Sequence, residues 1–130
     1  MAKYVSDTMA LVLYLEQRKM PEQAKKIFLS AEKGEVEIFI PGIVMAEIGY
    51  LSGRGRIDTT LNDLQRLIED HQSFKEKPLT LRDIQSAFSI DDIPELHDRL
   101  IAGTAKDMGV IVITNDPLLE KSTHIDTIWS

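Results

Sequence analysis

The sequence predicts an α/β fold, a three-layer α/β/α sandwich around a central, mainly parallel sheet of four to five strands. Short apolar segments with strand character alternate with amphipathic helical patterns along the chain. The segment Val110-Ile111-Val112-Ile113 is apolar throughout, which is typical of a strand covered on both faces. No repeat, low-complexity tract or linker divides the 130 residues, so we expect one domain over residues 1–130.

Five segments have strand patterns. We expect strands over residues 3–6, 37–40 and 110–113. A weaker pattern covers residues 74–77, and residues 127–129 have the composition of an edge strand. Periodic apolar positions between these segments predict amphipathic helices over residues 9–16, 22–33, 58–72 and 80–88.

Two further helices carry acidic residues. One enters through Pro41-Gly42 after the second strand, carries Glu47, and precedes a glycine-rich loop over residues 52–56. The other opens at Ile93-Pro94, carries Asp98 and ends at Gly109. Proline suits the first turn of a helix and glycine its C-terminal stop, so these residues predict both ends of the second helix.

Composition limits the possible chemistry. A net charge of -6 and a pI near 5.0 argue against a protein that coats DNA with a basic face. The absence of cysteine excludes disulfides, thiolate zinc sites and cysteine nucleophiles, so a metal would be held by oxygen or histidine. No apolar run is long enough to cross a bilayer, and Asp7 interrupts the apolar start of the chain. We therefore expect a soluble cytoplasmic protein with no membrane contact.

Glu47 and Asp98 are carboxylates in helical positions where apolar residues are expected. Glu47 shares a helix face with Val44 and Leu51, and Asp98 shares one with Ala102. An ionised carboxylate held away from water costs several kcal/mol unless it has a partner. This placement indicates a site, although pairing with Arg56 or Arg99 is a structural alternative.

Two more acids follow predicted strands. Asp7 comes directly after the first strand, and Asp116 lies just past the strand that ends at Ile113. Ligands collect at the carboxyl ends of parallel strands, so all four acids would face one crevice if these two strands are neighbours. Taken singly, Asp7 is also a good helix cap and Asp116 a good turn residue. Thr114 and Asn115 either orient a metal-bound water or serve the turn.

Four carboxylates in one cleft repel each other, and a divalent cation resolves the conflict. Oxygen ligands without cysteine suit Mg²⁺ or Mn²⁺. The chemistry that such an ion favours is hydrolysis of a phosphate ester. Asp91 and Asp92, by contrast, fit the loop before Pro94 better than a metal site.

Four segments of the chain together resemble the PIN-domain family, and most closely its VapC-type toxins of toxin–antitoxin pairs. The resemblance spans essentially the whole chain, and the motifs match in order, type and spacing. The segments are Val5-Ser6-Asp7-Thr8-Met9-Ala10-Leu11, Pro41-Gly42-Ile43-Val44-Met45-Ala46-Glu47-Ile48, His97-Asp98-Arg99-Leu100-Ile101-Ala102-Gly103-Thr104-Ala105 and Val112-Ile113-Thr114-Asn115-Asp116.

The resemblance implies a Mg²⁺- or Mn²⁺-dependent endoribonuclease, often a homodimer, that a small partner antitoxin inhibits. By matching position it makes Asp7, Glu47, Asp98 and Asp116 the catalytic, metal-binding acids, with Thr114 as a hydroxyl beside them. Gly103 departs from the alanine that is common in the family, which puts the local helix packing in question.

Two further hypotheses concern how RNA is recruited and what the alternative function would be. The loop residues Arg54 and Arg56 would contact the RNA backbone, because an acidic site needs local positive charge to recruit a polyanion. The alternative function is a magnesium-binding phospho-acceptor receiver domain, a signalling module of similar length with clustered aspartates. It fits less well, since the chain lacks the acidic pair after the first strand and a lysine after the last.

Overall fold

The computed structural model describes all 130 residues, and its centre is one five-stranded sheet. Every neighbouring pair of strands is parallel, in the order β3-β2-β1-β4-β5. The strands are β1 (Lys3–Ser6), β2 (Glu37–Pro41), β3 (Phe74–Lys77), β4 (Ile111–Ile113) and β5 (Thr127–Ile128). The predicted sheet is therefore confirmed, including the edge position of the last strand.

Seven helices flank the sheet and complete the predicted α/β/α arrangement. They are α1 (Thr8–Leu15), α2 (Glu22–Glu32), α3 (Gly42–Gly53), α4 (Leu61–Asp70), α5 (Leu81–Phe88), α6 (Leu96–Met108) and α7 (Pro117–Glu120). None of them combines the length and the apolar character that a bilayer crossing requires.

The strand order excludes the receiver-domain alternative. Receiver domains have the flavodoxin-like order 2-1-3-4-5, in which the first strand lies between the second and the third. Here β1 lies between β2 and β4, and β3 is at the edge. The difference in topology cannot arise from a small shift of elements, so this alternative is wrong.

Helix α6 does not begin where the sequence predicts. Its N-cap is Glu95, whose side chain accepts a hydrogen bond from the backbone N–H of Asp98 at 2.7 Å. Pro94 consequently lies outside the helix, and the predicted start at Ile93-Pro94 is wrong. The predicted end is confirmed, because Gly109 adopts a left-handed conformation with φ of 70° at the C-cap.

Other parts of the chain also differ from the prediction. Helix α4 begins at Leu61 behind its N-cap Thr60, three residues after the predicted start. Helix α3 continues to Gly53, so only the later part of the predicted loop over residues 52–56 is irregular. The short helix α7 lies where Asp116-Pro117 predicts only a turn. Asp116 caps this helix through a hydrogen bond from the backbone N–H of Leu118 at 2.9 Å, and Pro117 occupies its first turn.

Gly103 allows α5 and α6 to pack closely. A Cβ atom at this position would lie 2.5 Å from the backbone nitrogen of Ala87 and 2.6 Å from its Cα. These neighbours are backbone atoms of α5 and cannot move independently of the helix. The departure from the family's alanine is therefore a feature of this helix pair.

Candidate active site

The candidate site is a cleft at the carboxyl edge of the sheet, with a volume of about 480 Å³. Strands β1 and β4 pair in parallel with Ser6 opposite Ile113, which brings the residues that follow both strands to the same edge. The four predicted acids all line this cleft: Asp7, Glu47, Asp98 and Asp116. Its other walls are mainly apolar and include Met9, Leu13, Leu51, Ile101 and Trp129.

Asp7 is buried at the floor of the cleft and caps α1. Its Oδ1 accepts a hydrogen bond from the backbone N–H of Ala10 at 2.8 Å, and its Oδ2 accepts one from the Thr114 hydroxyl. Burial raises the pKa of Asp7 to about 6; these two donors oppose the shift, and the charges of Asp116 and Glu47 add to it. The capping role and the place in the cleft are thus compatible.

Glu47 projects from the second turn of α3 and is held by a residue that the sequence analysis did not single out. Its Oε1 accepts a hydrogen bond from the Thr8 hydroxyl at 2.6 Å. Thr8 is the first residue of α1 and only 8% exposed. The signal in the sequence was its position directly after Asp7, but its partner lies 39 residues away and could not be inferred.

Asp98 lies in the first turn of α6 and is half-buried. Burial raises its pKa to about 7, and the charges of Asp116, Glu95 and Glu47 add to the increase. No arginine neutralises it: Arg99 donates its Nε hydrogen to the carbonyl of Ile93 at 2.7 Å. The structural alternative, in which Arg56 or Arg99 pairs with one of the helical acids, is therefore wrong.

Thr114 connects the acids that follow the two strands. This buried residue donates to Asp7, and its hydroxyl oxygen accepts the backbone N–H of Asp116 at 3.0 Å. The hydroxyl thereby fixes one carboxylate directly and the backbone of another. Asn115 also lines the cleft, but its side chain is exposed.

None of the four cleft acids forms an ion pair with a lysine, arginine or histidine of the chain. Two of them have a raised pKa, so placing full negative charge in the cleft is unfavourable without an outside cation. An oxygen-only donor set of this charge fits a hard divalent cation. The acids are also spread widely, since no three of them bring ligand atoms within 4.8 Å of one another.

A second acidic cluster lies outside the cleft and consists of Asp91, Asp92 and His124. It is the only group of three whose ligand atoms all lie within 4.8 Å. Its carboxylates are occupied by the protein: Asp91 contacts His124 Nε2 at 2.9 Å, and Asp92 accepts the backbone N–H of Thr123 at 2.8 Å. As the sequence analysis expected, these aspartates organise loops.

Arg54 and Arg56 are exposed at the end of α3 and do not line the cleft. The Arg54 guanidinium lies over the ring of Tyr50, 4.7 Å from its centroid. Arg54 is the C-cap residue of α3 and follows Glu47 by seven residues, so it lies at the C-terminal end of the helix that carries this acid.

The parallel sheet and the acidic cleft at its carboxyl edge define an α/β protein with the layout of a phosphoryl-transfer or nuclease site. The chain belongs to the PIN-domain family, whose sequence model matches residues 4–122. PIN domains are nucleases, which are hydrolases. No curated protein matches the chain in sequence.

The fold is similar to that of several solved toxin–antitoxin complexes. A chain of VapBC2 from Rickettsia felis, bound to a DNA fragment from its promoter, is 18% identical with a TM-score of 0.72, over 98% of this chain and 99% of that one. A chain of DNA-bound VapBC from Salmonella typhimurium is 18% identical with a TM-score of 0.72, over 98% of both chains. A chain of FitAcB from Neisseria gonorrhoeae is 18% identical with a TM-score of 0.64, over 96% of both chains.

Proposed function

We propose that this protein is a metal-dependent endoribonuclease and the toxin of a toxin–antitoxin pair. One observation carries the proposal: four carboxylates from separate parts of the chain line one cleft, and no lysine, arginine or histidine of the chain forms an ion pair with them. The membership of the PIN-domain family supports nuclease chemistry at this cleft.

Asp7, Glu47, Asp98 and Asp116 would hold Mg²⁺ or Mn²⁺. When bound, the ion would supply Lewis acidity toward a phosphodiester and lower the pKa of a coordinated water. The chain contributes preorganisation, because hydroxyl groups already hold two of the carboxylates: Thr114 holds Asp7, and Thr8 holds Glu47. Thr114 therefore acts through Asp7 and the backbone of Asp116.

Substrate recruitment is a separate requirement, because a chain of net charge -6 repels a polyanion. Arg54 caps the C-terminal end of α3, the helix that carries Glu47. From that position it would contact a phosphate near the one that is cleaved, while the acids would hold the ion that engages the scissile phosphate. Arg56, two residues further and also exposed, would add a second contact.

We propose a small cognate antitoxin as the inhibitor, which the similarity to toxin–antitoxin complexes over nearly the whole of both chains supports. We also propose a homodimer, which rests on the resemblance to VapC-type toxins. The proposal that the substrate is RNA rests on the resemblance to VapC-type toxins.

The direct test is cleavage of defined transfer, ribosomal and messenger RNAs by the purified protein. We expect cleavage with Mn²⁺ or Mg²⁺, none with a chelator, and none by Asp98→Asn under the same conditions. Asp91→Asn is the matched control, since it neutralises an exposed aspartate of the other acidic cluster. Full metal-dependent cleavage by Asp98→Asn would remove the basis of the proposal.

The arginine contacts have their own test. We expect the double variant Arg54→Gln/Arg56→Gln to weaken RNA binding and to reduce the slope of log affinity against log salt by about 0.7 per lost phosphate contact. Lys25→Gln/Lys26→Gln is the control, because it removes the same charge from exposed positions of α2. Equal effects of the two double variants would show that only net charge matters.

A further inference from the structure

One hydrogen bond joins α1, which Asp7 caps, to α3, which carries Glu47. Thr8, at the start of α1, donates its hydroxyl to Glu47 Oε1 on α3 at 2.6 Å. It is the only hydrogen bond within the protein that the Glu47 carboxylate accepts. Thr8 is 8% exposed, so water cannot readily replace its hydroxyl.

A glutamate side chain has three rotatable bonds and loses much freedom when it is held in place. With Oε1 fixed by Thr8, the carboxylate keeps its orientation in the cleft before any ion arrives. The remaining lone pairs of Glu47 stay free for an outside partner. Groups that orient a ligand in this way change metal affinity even though they do not touch the metal.

The chain contains the same contact at a second place, away from the acidic cleft. Thr59, which is 2% exposed, donates its hydroxyl to Glu16 Oε2 at 2.7 Å. Glu16 also accepts the backbone N–H groups of Asp58 and Thr59, so its three hydrogen bonds all hold the connection between α3 and α4, and it lies 3.7 Å from Arg18 in an ion pair. The two threonine–glutamate pairs match in chemistry and burial and differ in their position relative to the cleft.

We propose that Thr8 is a positioning residue of the metal centre, whose hydroxyl orients Glu47 for ion binding. This inference rests on the proposed function, because it assigns Glu47 to the ion. It predicts that the hydroxyl of Thr8, and not its methyl group or its bulk, determines how tightly the cleft binds a divalent cation.

The test is titration calorimetry of Mn²⁺ into four proteins: wild type, Thr8→Val, Thr8→Ser and Thr59→Val. Thr8→Val keeps the shape of threonine without its hydroxyl, and we expect a loss of affinity of about tenfold or more. Thr8→Ser keeps the hydroxyl and should bind close to wild type. Both Thr59→Val and Thr8→Val should lower the thermal midpoint, but Thr59→Val should leave Mn²⁺ affinity unchanged.

A double-mutant cycle tests whether Thr8 acts through Glu47. The double variant Glu47→Gln/Thr8→Val should bind Mn²⁺ no more weakly than the single variant Glu47→Gln does. RNA cleavage by Thr8→Val should also recover as the Mn²⁺ concentration is raised, because the defect is in binding. If Thr8→Val does not fold, Thr8→Ala measured against Thr8→Ser makes the same comparison.

The outcomes separate the two proposals. If Thr8→Val binds Mn²⁺ as tightly as the wild type does, the proposed role of Thr8 is overturned and the proposed function stands. A Thr8→Val defect that persists fully in the Glu47→Gln background also overturns it. Absence of Mn²⁺ binding by the wild type overturns both proposals.

Discussion

The acids of the cleft and the aspartates of the Asp91, Asp92 and His124 cluster have pKa values shifted in opposite directions. In the cleft, the pKa values of Asp7 and Asp98 are raised, chiefly by burial, and neighbouring carboxylates add to the effect. In the other cluster the pKa values of Asp91 and Asp92 are lowered, chiefly by hydrogen bonds from His124 and from the backbone N–H of Thr123 respectively. The cleft acids have no positively charged partner in the protein, whereas hydrogen bonds from the protein stabilise the charges of Asp91 and Asp92.

The comparison shows that close spacing does not by itself mark a metal site. Asp91, Asp92 and His124 form the tighter group, yet their oxygens are already used to hold the loop before β5. The cleft acids are more widely spread, but no cation of the chain reaches them. The missing compensation, and not the density of ligands, points to an outside ion.

Asp83 shows what the chain does when a buried acid is structural. This residue is fully buried in α5 and pairs with Lys77 Nζ at 2.7 Å. It also completes a capping box with Thr80. The buried Asp83 thus has a lysine partner, and the four cleft acids have none.

The largest expected effect comes from the cleft. Asp7→Asn should lower metal-dependent RNA cleavage by about a hundredfold or more, because an amide cannot replace a carboxylate charge toward a divalent cation. Asparagine is also a good helix cap, so α1 should survive the change. The measurement is cleavage rate at saturating Mn²⁺, with Asp92→Asn as the control from the other cluster. Comparable losses in both variants would erase the distinction between the clusters.

The next effect is on stability and concerns Lys77. Lys77→Met should cost about 3–5 kcal/mol, because it leaves Asp83 buried without its counterion. Urea unfolding measures the loss, and Asp83→Asn added to the same variant should recover part of it. A loss in Lys77→Met below about 1 kcal/mol would mean that Asp83 does not depend on the lysine.

The cleft should make the metal-free protein less stable as the pH rises. Asp7 and Asp98 have raised pKa values in the folded state, so between about pH 4 and pH 7 the folded protein binds more protons than the unfolded chain. Their contribution therefore favours folding at low pH and is lost as pH increases through that window. Thermal midpoints of wild type and Asp7→Asn/Asp98→Asn, compared at pH 5 and pH 7.5 with a chelator, should show a smaller decline in the variant.

Added Mn²⁺ should reverse the decline at pH 7.5, since the ion favours the ionised carboxylates. The same decline in the double variant would mean that other groups set the pH dependence.

The smallest effect belongs to the exposed cluster. Asp92→Ala should lower the thermal midpoint slightly, because Ser122 and Thr123 lose their acceptor at the loop before β5. Mn²⁺ affinity and RNA cleavage should stay at the wild-type values. A loss of Mn²⁺ binding in this variant would indicate that the ion binds at the Asp91, Asp92 and His124 cluster and not in the cleft.

The sequence predicts the convergence of the four acids on one cleft better than it predicts some of the contacts around them, for physical reasons. The convergence of Asp7 and Asp116 follows from strand patterns and from parallel pairing, which are local signals combined by one general rule. The contacts Thr8 to Glu47 and Lys77 to Asp83 depend on how separate elements approach each other. No local pattern contains that information.

Helix ends also differ in whether a local sequence signal determines them. Gly109 was predicted as a stop because a left-handed C-cap is a local property of glycine. The start of α6 at Leu96 depends on a competition between Pro94 and the cap at Glu95, which proline preference alone does not decide. The sequence shows only that Gly103 stands where the family has alanine. The reason is the close approach of the Ala87 backbone in α5, which depends on how the two helices pack.

Calorimetric titration of Mn²⁺ into the metal-free protein at pH 7.5 tests directly whether the four cleft acids hold a divalent cation. We expect saturable binding by the wild type and by Asp91→Asn, and loss of that binding in Asp98→Asn. No binding by the wild type, or unchanged binding in Asp98→Asn, would contradict this expectation.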